Sequence, residues 1–256
     1  MRRLSHIGQA LALPLLLLTG WWVVSDSSTS LYFPPLRSIV DAFFDTWVFE
    51  DIGPVLVPTL QTFAIGFGIS IVLGISIGLV LASNERVADF FSPLMEFLRA
   101  LPGIALVPVF MSVLGVGASM RTSVVVFASI WPILLNTIDG VRGIDMVVRD
   151  TSSGFHVPFW PRLMFVVLPG ASPQIVAGAR VGMSLSLIAV IVTEMVTPAA
   201  GVGAFTKKAQ MSFDLTAMWT AIILMGVVGY LLNLAFDQFE KRILRWHLQM
   251  QDVAAR

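Results

Sequence analysis

The sequence contains no cysteine among its 256 residues. Disulfide bonds, thiolate nucleophiles and iron–sulfur ligation are therefore excluded, and we expect no metal site. Charged residues are also scarce, at 12% of the chain, and the 16 basic residues balance the 16 acidic ones. Because nucleic-acid binding needs a field of positive charge, a chain with no net charge is not expected to bind nucleic acid.

Hydrophobic residues are abundant instead, at 56% of the chain, and the mean hydropathy is +0.85. Average soluble proteins carry about 25% charged residues, whereas no charged residue occurs here from Ile52 to Asn84. A helix needs about 20 apolar residues to cross a bilayer. The composition therefore predicts an all-α, polytopic membrane protein.

Six segments are predicted to span the membrane. The first, Ile7–Val24, follows Arg2 and Arg3 as in a secretory signal, but its small residues precede its leucine block and Trp21-Trp22 is typical of an interfacial anchor. We therefore expect an uncleaved span. The other predicted spans are Pro58–Ala82, Ala100–Met120, Thr122–Ile138, Val181–Thr197 with a start near Pro173, and Leu215–Phe236.

The spans divide a single transmembrane domain, 1–256, into three parts. Residues 1–57 hold the first span and an external loop, residues 58–238 hold the core helices with a cytoplasmic loop at 139–172, and residues 239–256 form a cytoplasmic tail. If the segments alternate sides, twelve of the 16 lysines and arginines lie on the side of the N-terminus. The positive-inside rule then predicts that both termini are cytoplasmic.

Small residues recur at every fourth position in two predicted spans, and such stripes let helix backbones approach closely. They are Gly66, Ser70, Gly74 and Gly78 in the second span, and Gly178, Gly182 and Ser186 in the fifth. Gly74 to Gly78 also matches the G-x-S-x-G pattern of serine hydrolases, with Ser76 as the nucleophile. The three histidines, His6, His156 and His247, lie at or beyond the ends of spans. Because no base can reach Ser76, close packing is the favoured interpretation.

Glu194 lies near the outer end of the fifth predicted span. A carboxylate in lipid costs about 3 kcal/mol unless it faces protein or water. Two interpretations are open. Glu194 is either a gate or pathway residue, in a row with Ser186, Val190, Thr193 and Thr197, or an interfacial carboxylate that reaches headgroup water.

No phosphate-binding loop is present, because the only lysines are Lys207, Lys208 and Lys241 and none follows a glycine. If ATP drives any process, a partner chain must bind it. No cofactor is expected on this chain itself.

The cytoplasmic loop is the most informative segment. Its pattern predicts a short amphipathic helix that carries Arg149 and Asp150, a break between Gly154 and Pro158, and a second helix that stops at Pro169. This shape suits docking into the groove of a partner protein.

The loop resembles the signature of inner-membrane permease subunits of binding-protein-dependent ABC importers, of the nitrate, sulfonate and taurine type. That signature reads Glu-Ala-Ala, three residues, Gly, nine residues, Ile, any residue, Leu-Pro. Anchored on Leu168-Pro169, it places its Glu, two Ala, Gly and Ile at Asp150, Thr151, Ser152, His156 and Val166, whereas a gapped register uses Gly154 as the glycine. Further resemblances are Phe33-Pro34-Pro35, Pro58-Thr59-Leu60, Phe91-Ser92-Pro93, Leu98 to Pro102, Thr193-Glu194-Met195 and Gly201-Val202-Gly203.

The resemblance implies the fold of a type I ABC importer permease, without enzymatic activity of its own. Two permeases, expected to be identical copies, would sit on a cytoplasmic ABC ATPase dimer and receive a small solute, such as a sulfonate, from an external or periplasmic solute-binding protein. ATP on the ATPases would drive alternating access across the inner membrane. The residues assigned to ATPase coupling are Asp150, Thr151, Ser152, Gly154, His156, Leu168 and Pro169. We expect the small Thr151 and Ser152 to face the ATPase.

Two other functions stay open at this point. The departures from the signature at Thr151, Ser152 and His156 motivate a scaffold subunit that keeps the permease fold without transport. An intramembrane serine hydrolase would depend on Ser76 alone.

Overall fold

The computed structural model describes residues 2–28, 30, 32–49 and 52–245, which contain helices and no strand. The helices are α1 (Arg2–Ser25), α2 (Leu36–Phe44, extended by a π-helical turn to Phe49), α3 (Gly53–Ser83), α4 (Glu85–Ala100), α5 (Val107–Leu114, preceded by a 3-10 turn from Gly103), α6 (Ala118–Arg142), α7 (Met146–Gly154), α8 (Phe159–Arg162), α9 (Leu168–Val196), α10 (Val202–Met211) and α11 (Leu215–Ile243). A π-helical turn, Leu163–Val167, joins α8 to α9.

Helix α6 is the centre of the bundle, packed between α3 and α9. The stripes of small residues make both contacts. A Cβ atom on Gly66 would lie 2.5 Å from Val125 of α6, and a Cβ atom on Gly178 would lie 2.5 Å from the carbonyl oxygen of Pro132. The hydroxyls of Ser70 and Ser129 also bond across the α3–α6 contact at 2.7 Å. The prediction that these stripes serve close packing is confirmed.

The order of the contacts fixes the direction of each helix. Along α3, Gly66, Gly74 and Gly78 meet α6 residues of rising number, so α3 and α6 run parallel. Along α9, Gly178 meets Asn136 and Gly182 meets Ser129, so α9 runs antiparallel to α6. We call the end of the bundle at which α3 and α6 finish the α7 end, and the opposite end the α10 end.

Four helical segments are long and apolar enough to cross a membrane: Gly53–Ser83, Ala118–Arg142, Phe159–Val196 and Leu215–Ile243. They correspond to the second, fourth, fifth and sixth predicted spans. The first predicted span, Ile7–Val24, lies in α1, where Leu16–Ser25 is the apolar stretch identified among the described residues. The predicted tail, 239–256, begins inside α11, and its residues 246–256 are outside the described part of the chain.

The third predicted span, Ala100–Met120, is wrong in its bounds and its shape. Two helices, Arg86–Ala100 and Gly103–Leu114, meet there at an angle of 86°. Pro102 cannot donate a backbone hydrogen bond and Leu101 adopts an extended conformation, so the helix cannot continue through this point. Because α3 and α6 are parallel, the bent pair carries the chain back across the bundle and counts as one broken span.

The prediction that Pro169 stops a helix is also wrong. Pro169 lies in the first turn of α9, where a missing N–H group is tolerated. The segment from Phe159 to Val196 continues as 38 helical residues.

Candidate functional site

The segment between α6 and α9 forms the predicted short helix followed by a break. Asp145 caps α7, because its carboxylate accepts a hydrogen bond from the Val147 amide at 2.7 Å. The helix ends at Gly154, and Pro158 then opens α8. We call residues 145–167 the coupling segment.

His156 terminates α7 in the left-handed conformation, with φ +51°. Its amide donates a hydrogen bond to the carbonyl oxygen of Ser153 at 2.9 Å, and its exposed ring nitrogen Nδ1 lies 3.1 Å from the carbonyl oxygen of Gly154. Glycine is the usual residue at such a helix end. The ungapped register places the signature glycine at this position, whereas Gly154 is still helical and has no positive φ.

The two small residues of the signature face different ways. Thr151 is exposed. Ser152 is only 7% exposed, and its hydroxyl donates to the carbonyl oxygen of Arg149 at 2.8 Å. The expectation that both face a partner therefore applies to Thr151 alone, because Ser152 packs against its own chain. Asp150 and Gly154 are exposed, and Leu168 and Pro169 are half-buried at the start of α9.

Large apolar side chains cover the outside of the coupling segment. Between Asp145 and Trp160, five of them are between 67% and 80% exposed: Met146, Val147, Phe155, Phe159 and Trp160. Outside the bilayer, a protein rarely leaves such a patch uncovered without an interaction partner. We call these five residues the coupling surface.

A second arrangement, at the α10 end, surrounds Glu194. This residue is 1% exposed, and its Oε2 atom accepts hydrogen bonds from the Thr59 hydroxyl at 2.9 Å and from the Gly203 amide at 3.0 Å. The Thr59 hydroxyl in turn accepts a hydrogen bond from the Val202 amide at 2.9 Å. The first two free amides of α10 are therefore capped by side chains of α9 and α3. We call Thr59, Glu194 and residues 201–203 the α10 cap.

Two glycines allow the carboxylate to approach the backbone this closely. A Cβ atom on Gly201, whose φ is +150°, would overlap the Glu194 carboxylate at well under 3.0 Å. A Cβ atom on Gly203 would overlap the carbonyl oxygen of Ile191 in the same way. The positive end of a helix dipole also favours a nearby negative group, so the cap is suited to a carboxylate both sterically and electrostatically.

The predicted gate residues are buried in the bundle. Ser186 and Thr193 are completely buried, and Thr193 donates a hydrogen bond to the carbonyl oxygen of Val190 at 2.8 Å. The Ser186 hydroxyl has no partner among the described residues. Glu194 is 1% exposed and enclosed by the α10 cap, at the edge of a cavity that Lys207 and Lys208 also line. Sequence reasoning missed Thr59, Gly201 and Gly203 as its partners, although the Gly-x-Gly spacing after Glu194 was a usable signal.

Ser76 has no catalytic arrangement in the described part of the chain. The glycines beside it serve packing, because a Cβ atom on Gly74 or Gly78 would overlap Ile133 or Thr137 of α6. His156, the histidine whose side chain is described, bonds to the carbonyl oxygen of Gly154 in the coupling segment. The G-x-S-x-G pattern is therefore explained by the α3–α6 contact.

Relatives of known function share most of the chain. The nitrate import permease protein NrtB of Synechocystis is 29% identical over 76% of this chain and 71% of its own length. The bicarbonate transport system permease protein CmpB of Synechococcus elongatus is 32% identical over 75% and 68%, and the taurine transport system permease protein TauC of Escherichia coli is 22% identical over 92% and 88%.

A solved structure has the same fold. A chain of the MetNI methionine ABC transporter in an inward-facing conformation superposes with a TM-score of 0.64 and 18% identity, covering 72% of this chain and 92% of its own. Residues 70–245 match the family described as binding-protein-dependent transport system inner membrane component. This match extends over the central α6, the coupling segment and Glu194. The chain is therefore a multi-pass inner-membrane permease component of the binding-protein-dependent ABC transporter family.

Proposed function

We propose that this chain is the translocation subunit of an ATP-driven importer of a small anion, working by alternating access. It pairs with a second copy of itself, seats on a dimer of cytoplasmic ABC ATPases that bind the ATP, and receives its solute from an external or periplasmic binding protein. The observation that carries the proposal is the coupling surface, an exposed apolar patch on the one segment that resembles the ATPase-contacting signature of the family.

The geometry of the coupling segment supports the usual register of docking. The left-handed conformation of His156 coincides with the signature glycine when Leu168-Pro169 is used as the anchor. Asp150, Thr151 and Gly154 are then exposed on α7 beside the coupling surface. Thr151, Ser152 and His156 therefore differ from the signature in their side chains. The left-handed turn for which the signature uses glycine is still present at His156.

The class of solute follows from the relatives. The similar permeases are named for nitrate, bicarbonate, taurine and aliphatic sulfonates, and nitrate, bicarbonate and sulfonates are small anions. At the α10 end, Lys207 and Lys208 line a cavity of about 680 Å³ beside the α10 cap, and positive charge there attracts an incoming anion. We therefore propose a small oxyanion or sulfonate as the solute.

We place the α7 end, with both termini, in the cytoplasm. The bias of lysine and arginine supports this orientation. Helix α11 runs from the α10 end to the α7 end, since Asp237 in its last part bonds to Arg180 in the first half of α9. The gate then lies at the external α10 end, where Glu194 bonds α9 to α3 and to α10. The buried Thr193 and Ser186 lie on the same helix, before Glu194.

A charge in the coupling surface tests the proposal. Met146→Asp should abolish co-purification of the ATPase and uptake of the anion, because an unpaired carboxylate would have to be desolvated in the contact. Met211→Asp is a matched control, since Met146 and Met211 are 74% and 71% exposed at opposite ends of the bundle. Met211→Asp should retain the ATPase.

The results separate the proposed function from its competitors. If Met146→Asp keeps both the ATPase and uptake, the coupling surface is not the docking site. A parent chain that binds the ATPase but never moves solute would indicate a scaffold subunit. Ser76→Ala should leave uptake unchanged, and its loss together with labelling by a serine-reactive probe would revive the hydrolase alternative.

A further inference from the structure

Two arginines of the coupling segment share one cavity at the α7 end. The cavity has a volume of about 490 Å³ and lies between the end of α3 and the coupling segment. Arg149 and Arg162 line it, together with Ser83 of α3 and the exposed Trp160. No acidic residue belongs to its lining in the described part of the chain.

Neither guanidinium forms an ion pair with a described residue. The ion pairs among the described residues join Arg180 and Lys241 to Asp237, and Arg180 to Glu240, so none involves Arg149 or Arg162. Asp145 uses its carboxylate to cap α7. Asp150 is two residues from the buried Ser152, which at about 100° per residue directs it away from the cavity. Among the described side chains, the cavity therefore presents positive charge without a counter-ion.

An apolar groove adjoins this cavity. The groove has a volume of about 900 Å³, shares Ser76 and Val80 with the cavity, and extends along α3 to Ile69. From Ile69 to Val80 the helix rises about 16 Å at 1.5 Å per residue. One leaflet occupies about 15 Å, half of the hydrocarbon thickness of a bilayer. The groove therefore has the depth of one leaflet, with the two arginines at its interfacial end.

We infer that the groove and the cavity together bind one anionic phospholipid from the leaflet at the α7 end. Its phosphate lies between Arg149 and Arg162, and one acyl chain follows α3 from Val80 to Ile69. Basic pockets between transmembrane helices on the cytoplasmic side recognise such headgroups.

The chemistry of the groove distinguishes a lipid from the transported solute. A route for a small anion needs polar groups along its length, because a desolvated charge is costly. The groove offers Ser76, Thr122 and Ser123 among a lining that is otherwise apolar apart from the indole nitrogen of Trp131. An acyl chain requires no polar partner there.

Retention of lipid by the purified permease in detergent tests the inference. After exposure to mixed micelles of phosphatidylglycerol or of phosphatidylcholine, native mass spectrometry should show one phosphatidylglycerol per permease and no retained phosphatidylcholine. Arg149→Gln with Arg162→Gln should weaken this binding by roughly 30-fold, since each basic contact near the membrane surface contributes about fivefold. Arg86→Gln with Arg142→Gln is the matched control, because both arginines are exposed and neither lines the cavity or the groove.

The groove itself is tested at Ser76. Ser76→Trp fills the junction of groove and cavity without changing any charge and should abolish retention, whereas Ser76→Ala should preserve it. Free inorganic phosphate should not displace the lipid. Equal retention of both lipids, equal loss in the two double variants, or displacement by phosphate alone would each overturn the inference.

A second copy of the chain is the remaining competitor for this face. In that case no phosphatidylglycerol is retained and Ser76→Trp splits the permease pair. Melting temperatures of the variants in detergent check their folding. Should the arginine double variant not fold, the selectivity of the parent for phosphatidylglycerol still decides the question.

Discussion

Two residues at positive φ, one from each end of the bundle, lie in opposite surroundings. Near the α10 end, Gly201 is enclosed, and a Cβ atom there would overlap the buried Glu194 carboxylate. At the α7 end the residue is His156, whose side chain is exposed to solvent. Packing rather than the backbone angle alone therefore decides where glycine is required. The α10 end is built around internal contacts, and the α7 end leaves its side chains free for a partner.

The largest expected effect is that of Gly201→Ala. The added methyl group must displace the Glu194 carboxylate and break both hydrogen bonds that Glu194 accepts, at a cost of about 3 kcal/mol in the free energy of unfolding. Thermal unfolding in detergent and the yield of folded protein measure this cost. Gly226→Ala in α11 is the control, since its Cβ atom would meet no atom within 4 Å. Equal stability of the two variants would show that the cap can rearrange freely.

Thr59→Val should have the next largest effect. The fully buried Thr59 hydroxyl both donates to Glu194 and accepts from the Val202 amide, so its loss costs about 1–3 kcal/mol. Hydrogen exchange of the α10 amides should become faster. Thr206→Val removes a hydroxyl that bonds only to Val202 within its own turn of α10 and should change exchange little. Unchanged α10 exchange in Thr59→Val would contradict the cap.

His156→Gly should change stability by no more than about 1 kcal/mol. Relief of the left-handed strain favours the folded state, and the greater freedom of glycine in the unfolded state opposes that gain. The β-branched His156→Val should instead lower the melting temperature, because its side chain disfavours positive φ. If His156→Val had the same melting temperature as His156→Gly, the turn after α7 would not have the left-handed conformation described.

Thr151→Trp should leave stability within about 0.5 kcal/mol of the parent, because Thr151 is exposed. It should nevertheless weaken co-purification of the ATPase and abolish substrate-stimulated ATP hydrolysis by filling the docking contact. Ser152→Trp is the informative comparison. Ser152 is buried in its own chain, so that variant should lose about 1–3 kcal/mol of stability through overpacking. If Thr151→Trp still coupled normally to the ATPase, the ATPase would have to contact another part of the loop.

The sequence was sufficient for the helices that cross without interruption. The predicted span Pro58–Ala82 lies within α3, and Thr122–Ile138 lies within α6, because a charge-free run of about 20 residues has few other uses. The same criterion did not predict the bent pair of helices α4 and α5. Its first helix carries charges at Arg86, Asp89, Glu96 and Arg99, so the charge-free run begins only at Ala100, the last residue of α4.

In the candidate sites, too, the sequence could indicate local features but not contacts between distant parts of the chain. The turn after α7 is local, so the signature spacing could indicate His156 as the position of the glycine. The partners of Glu194 are set by the tertiary fold, since Thr59 lies 135 residues away in the chain. Spacing could not pair these two residues. The inward direction of Ser152 was equally hidden, because it depends on how α7 lies against the end of α3.

The continuous helix from Phe159 to Val196 connects the two ends of the subunit through a single helical segment. Its 38 residues span about 57 Å at 1.5 Å per residue, nearly twice the hydrocarbon thickness of a bilayer. One end begins with two residues of the coupling surface, and the other carries Glu194. A stiff rod of that length, tilted by about 10° around its midpoint, moves each end by about 5 Å in opposite directions. The helix is a lever, and a displacement of Phe159 by a partner is carried to the cap of α10 along one continuous helical backbone.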